Sequence, residues 1–200
     1  MNPPLPQQIA AAAARLVVDD GLEYPAARHK AAQAFGGRRL RSSDLPRHEA
    51  IEDEVQAYLA AFHAETQALE LRALRELALR WMTRLQAHRP HLAGAVWRGT
   101  ATRHSAILID LYCDDPKSAE IDLVNQGIDF DAAGDASGDA GPHAVLTVAD
   151  RSPALQEQVT LHLLVHDLDD LRGALRPDAR GRRWRGDLAA LQRLLQEEQA

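Results

Sequence analysis

The stretch from Gly94 to Asp115, GAVWRGTATRHSAILIDLYCDD, constrains the fold more than any other part of the chain. Glycine spacing, a short polar turn and a strongly β-forming run meet there and nowhere else. Gly94–Arg98 reads as a short strand, Gly99-Thr100-Ala101 as the start of a turn, and Ser105–Cys113 as a second strand. Side chains alternate across a strand. Ile107, Ile109, Leu111 and Cys113 therefore share one face, expected to be core. Ala106, Leu108, Asp110 and Tyr112 share the other, which carries the strand's only charge.

The chain before this stretch reads as helical. A proline-rich tail over residues 1–6 precedes a helix over Gln7–Val18, stopped by Gly21. A second helix spans Tyr24–Phe35, with Pro25 in its first turn and Gly36-Gly37 at its end. The basic loop Gly36–Ser43 reads as a solvated connector. Pro46–Arg89 has no glycine, and no proline after its first residue. Asp44 suits its N-cap. Ile51, Val55, Leu59 and Phe62, then Leu74, Leu77, Trp81 and Leu85, repeat at helical spacing. Two long helices or one bent helix follow, with Glu76/Arg80 and Glu70/Arg75 as surface charges. Pro90 closes the region.

After the central stretch, Asp115-Pro116 is expected to cap a helix over Pro116–Gln126. Ile128–Phe130, Ala144–Val148 and Val159–His166 read as strands. Asp131–Pro142 reads as an acidic loop, and Asp167–Leu175 as a helical turn. An Arg-rich loop over 176–186 leads into a final amphipathic helix, Gly186–Glu198. The expected fold class is α+β: a helical region over 1–90, packed on a small mixed β-sheet domain over 91–200.

Composition narrows the function classes. The single cysteine, Cys113, excludes an internal disulfide and a Cys-rich metal site, and fits a reducing cytoplasm. Arg15 breaks the apolar run of the N-terminal helix, so no signal peptide and no membrane span are expected. The net charge of −6 argues against general nucleic-acid binding. Arginines still cluster at 28–47 and 172–185, where they offer a phosphate or nucleic-acid contact that is not favoured over a solvated rim.

The central stretch resembles the nucleotidyltransferase superfamily, the DNA polymerase β-like fold. Its small members carry Gly-Ser-x-x-x-Gly-Thr-Ala, a few polar residues, then Ser-Asp-Ile-Asp-Leu. Gly94, Gly99, Thr100, Ala101, Ser105 and Ile107 match that signature without a gap. The order of N-terminal helices, this turn and a late HDLDDLR (His166–Arg172) is also similar to an uncharacterised bacterial family. The resemblance implies a nucleotide-binding role for Gly94, Gly99, Thr100 and Ser105. It also implies a pair of aspartates holding the metal ions, with a third carboxylate on a later strand. Here those positions depart: the phosphate-binding serine is Ala95, and the two aspartates are Ala106 and Leu108. Magnesium requires oxygen ligands, which methyl and isobutyl groups lack. Asp110 is the one nearby candidate catalytic acid, but it lies one pleat on, ~6.6 Å away. Val159–His166 offers only histidines.

The sequence therefore points to a nucleotidyltransferase-like pseudoenzyme without a resident metal, one that binds a nucleotide, phosphate or protein partner. The alternatives are an active transferase using Asp110, magnesium and a further acid, and a helical scaffold for a partner or a second copy. Other constellations read as structural. His162 and His166, even with Asp110 or His104, cannot share one ion, being ~13 Å apart along a strand. Cys113 beside a histidine falls on the core face. Ser105 beside His104 lacks a nucleophile-elbow context.

Overall fold

A computed structural model describes residues 3–36, 40–134, 141–178 and 180–198. Gly37, Arg38 and Arg39 of the basic loop and residues 135–140 of the acidic loop lie outside the described residues. The chain is α+β, with a helical N-terminal region followed by a six-stranded mixed sheet. It divides into two compact units. One is Met1–Leu71 with Gly99–Ser105, and the other is Arg72–Arg98 with Ala106–Ala200. Position 90, expected as the domain boundary, lies inside the second unit.

In the first unit, α1 (Leu5–Val18) packs against α2 (Tyr24–Ala34) and α3 (His48–Phe62). Helix α1 starts inside the expected tail because Pro6 fits a first turn, where its missing N–H is not needed. Its buried stripe, Ile9, Ala10, Ala13, Ala14, Val17 and Val18, is rich in alanine and meets Ala27, Ala31, Ile51 and Val55. A 3₁₀ turn at Ser42–Asp44 corrects the expected cap: Asp44 accepts from the Arg41 N–H, and Arg47 is the N-cap of α3. The segment Gly99–Ser105 is tied into this unit. The Thr102 hydroxyl donates to the Val18 carbonyl at the end of α1, and the Gln67 amide donates to the carbonyls of Gly99 and Ala101. Gly21 is required where it stands: its φ is +67°, and a Cβ would sit 2.0 Å from the His104 carbonyl oxygen.

Helix α4 (Gln67–Arg84) carries Leu74, Leu77 and Trp81 into the core of the second unit, and Leu85 just past its end is buried as well. Strand β1 (His91–Ala93) then ends abruptly, and Gly94–Arg98 is a short helix, α5, rather than the expected strand. The cause is Gly94 itself, whose φ of +66° leaves the β region. Arg75 is buried, not a surface charge. It donates to the Val96 and Trp97 carbonyls of α5 and pairs with Glu198. Burial lowers its guanidinium pKa, and Glu198 opposes that shift.

Strand β2 (Ile107–Cys113) follows, then α6 (Ser118–Asn125), β3 (Asp131–Gly134), β4 (Ala144–Ser152) and β5 (Glu157–Asp167). The expected strand at 128–130 forms instead at 131–134, where it gains β4 as an antiparallel partner. Asp115 acts just before α6, accepting from the Lys117 N–H; the helix itself starts at Ser118. After a 3₁₀ turn at Leu168–Asp170 and the short α7 (Leu171–Ala174), β6 (Gly186–Asp187) precedes α8 (Leu188–Glu197). The sheet order is β3-β4-β5-β2-β1-β6, and only β2 and β5 run parallel. Helix α6 packs on β2 and α8 on β1.

Candidate functional site

The sheet has two unlike faces. One is fully apolar: Ile107, Ile109 and Leu111 of β2 lie beside Leu161, Leu163 and Val165 of β5, all buried. The other is polar and half-buried. Parallel pairing sets Leu108 beside His162 and Tyr112 beside His166. Antiparallel pairing sets His91 beside Asp110 and Thr147 beside His162. Laterally aligned residues share a face. Three histidines, a tyrosine, a threonine and a carboxylate are thereby gathered from β1, β2, β4 and β5.

Asp110 is the centre of this face and is only 2% exposed. One carboxylate oxygen accepts from His166 Nε2 at 3.1 Å, and the other from Arg185 Nε at 2.5 Å. Arg185 also donates to the Ala174 carbonyl at 3.0 Å. A buried carboxylate needs such partners, because an unpaired charge in the interior is costly. Tyr112 stacks on His166 with ring centroids 5.3 Å apart and meets His91 edge-on at 5.4 Å. Burial, helped by the negative charge of Asp110, pushes the Tyr112 hydroxyl far above its ordinary pKa, so it stays protonated. His162 bonds the Thr147 hydroxyl at 3.0 Å, and burial lowers its pKa, favouring the neutral ring.

This arrangement is poor at holding a divalent cation. The Arg185 guanidinium supplies the positive charge that a metal would bring to Asp110, and His166 takes the other oxygen. Leu108, where the resemblance implies a carboxylate, lies beside His162. Among the described residues, no three His, Cys, Asp or Glu side chains converge into a metal-binding group.

The other residues singled out in the sequence fall as follows. Gly94 shares the second unit with Asp110, whereas Gly99, Thr100 and Ser105 belong to the first. Gly99, at φ +80°, ends α5 in the left-handed conformation. Thr100 is buried, and its hydroxyl bonds the Tyr24 hydroxyl at 2.6 Å. Ser105 is buried, and its hydroxyl accepts from the Thr102 N–H. Both hydroxyls thus serve the packing of the first unit. Cys113 is buried 3.6 Å from His88 Nδ1, while His88 Nε2 bonds Asp122 at 2.8 Å. Burial raises the thiol pKa, so the sulfur rests as a neutral thiol.

No family model, curated protein or solved structure matches this chain.

Arg185, His91 and Tyr112 complete the Asp110 cluster, and sequence reasoning assigned none of them a role there. Arg185 appeared only as one of an arginine cluster. Its link to Asp110 follows from register: β1 pairs with β2 on one side and with β6 on the other, so His91 aligns with both Asp110 and Asp187. The sequence read His166 as structural and unable to share an ion with His162 and Asp110; its Nε2 forms a direct hydrogen bond to the Asp110 carboxylate.

Proposed function

We propose that this chain is a nucleotidyltransferase-like protein with an emptied metal site, working by binding a ligand rather than by metal-dependent transfer. One observation carries the reading: Asp110, the one acid that β2 presents on the face where the metals would sit, is buried and held by Arg185 and His166. Two-metal transfer needs ions ~3.5–4 Å apart clamped by several carboxylates. The reading is supported by the order β1, α5, β2 with β5 alongside, which agrees with the framework that the resemblance implies. The chemistry does not agree, since Ala106 and Leu108 hold the metal-ligand positions.

The ligand expected on this reading is a nucleotide or phosphate compound bound without a metal. Thermal shifts with each nucleoside triphosphate, with and without EDTA, test it. The reading expects stabilisation by at least one nucleotide, unchanged by EDTA. Incorporation of label from a nucleoside triphosphate that needs magnesium and is lost in Asp110→Asn would establish the active alternative instead. A shift with no nucleotide at all would sink the ligand reading. A partner-binding role rests on a separate observation. Phe62 and Leu69 are 70% and 72% exposed in the helical unit, apolar side chains that a protein partner or a second copy would cover. Light scattering on the purified chain and on Phe62→Glu tests the second-copy form: a dimer lost on substitution supports it, and a monomer in both refutes it.

A further inference from the structure

A cavity of about 430 Å³ opens between α4, the segment before β3, and strand β4. That volume lies within the ~300–1,000 Å³ range of small-molecule sites. One wall is Trp81, whose indole N–H donates to Asp150 at 2.8 Å and so fixes the ring. Arg80 approaches the same Asp150 at 3.7 Å and donates to the Arg151 carbonyl, which makes this part of the wall internally neutral. Ile128, Val148 and Ala149 add apolar surface.

Two further lining charges are not neutralised. The Arg84 guanidinium lies 5.0 Å over the Trp81 ring and has no carboxylate partner among the described residues. The Asp129 carboxylate has no cationic partner among them either. Opposite charges therefore line one cavity without pairing with each other. A simple anion placed there would meet Asp129, and a simple cation would meet Arg84. Both charges are exposed, so a neutral apolar molecule would leave them to water and gain from neither. Only a ligand carrying both charges satisfies the two together.

We propose that this cavity binds a small zwitterion, a free amino acid with an apolar side chain. Its carboxylate pairs with Arg84 and its ammonium with Asp129, and its side chain lies against Ile128 and Val148 beside the Trp81 ring. Charge-assisted hydrogen bonds at both ends set orientation, and the apolar wall selects the side chain. The proposal uses none of the residues of the Asp110 cluster and stands apart from the nucleotidyltransferase reading.

Titration calorimetry on the full chain tests it, with L-leucine, L-phenylalanine and L-valine at millimolar concentration, alongside leucinamide and N-acetyl-leucine. The expected result is saturable binding of at least one free amino acid. The two blocked derivatives, each lacking one charge, bind at least about tenfold more weakly, as do Arg84→Gln and Asp129→Asn. Both substituted side chains are exposed, so the ligand-free melting temperature stays that of the wild type; Arg84→Lys, which keeps the charge, recovers part of the affinity. Three results overturn the proposal: no saturable heat with any of the free amino acids, equal binding of a blocked derivative, or unchanged affinity in the two charge-removing variants.

Discussion

Replacing Asp110 by asparagine tests whether this carboxylate is a structural anchor. Its side chain is 3% exposed, against 15% for His166 and 26% for Arg185. Hydrogen bonds to charged groups contribute about 1.5–3 kcal/mol each. Removing one partner of a buried ion pair costs about 3–5 kcal/mol. Two features reduce that figure here. Asparagine keeps one acceptor oxygen for His166 or Arg185, and the partly exposed guanidinium recovers some hydration. The expected loss is therefore about 2–3 kcal/mol, rising toward ~4 kcal/mol for Asp110→Ala, which keeps no acceptor. Urea unfolding reads this directly: with a slope near 2 kcal/mol/M, the asparagine variant's midpoint falls by roughly 1–1.5 M. Arg185→Gln should destabilise by a similar amount, and the double variant by clearly less than the sum, because the two residues share one interaction. A loss under about 0.5 kcal/mol for Asp110→Asn, or strict additivity with Arg185→Gln, would refute the anchoring role.

Three further outcomes follow from other parts of the structure. Gly186→Ala places a Cβ 2.1 Å from a ring carbon of Trp97, so the indole must move; a loss of about 1–3 kcal/mol and a changed tryptophan emission are expected, and an unperturbed melt would contradict the packing. Burial holds the His162 pKa below its ordinary 6.5, so the unfolded chain takes up that proton first as pH falls. The His162 contribution is intact above pH 6.5 and is lost progressively below it, so the wild type should lose more stability than His162→Gln between pH 7.5 and 5.5, by denaturant midpoint. Cys113, buried with a raised thiol pKa, should react with a thiol reagent only as fast as the protein opens; rapid labelling under native conditions would reveal an accessible thiol.

The helices were legible because their signals are local. Gly21 ends α1 by its own φ, and the glycine-free run after Pro46 forms α3 and α4 and closes in a 3₁₀ turn at Gln86–His88. The apolar face of β2 was equally plain, since alternation alone assigns Ile107, Ile109 and Leu111 to the core. Gly94–Arg98 misled because its valine and tryptophan favour a strand, whereas the conformation is set by Gly94 and by Arg75 capping the carbonyls of α5. That Ala106 and Leu108 stand where the resemblance implies aspartates could be read directly from the sequence. The partners of Asp110 could not. Arg185 and His166 lie far along the chain, and only the registers of β1, β2, β5 and β6 bring them to one carboxylate. Pairing across a sheet depends on the whole set of strands rather than on any local pattern. The same holds for the Arg84–Asp129 cavity, whose two charges come from a helix and from a segment between elements.

The central claim is that the Asp110 carboxylate serves Arg185 and His166 and not a metal ion. Manganese titration followed by electron paramagnetic resonance, with and without each nucleoside triphosphate, tests it most directly. The account expects the free-manganese signal of the wild type to match that of Asp110→Asn under every condition. A bound-manganese site present in the wild type and lost in Asp110→Asn would contradict it.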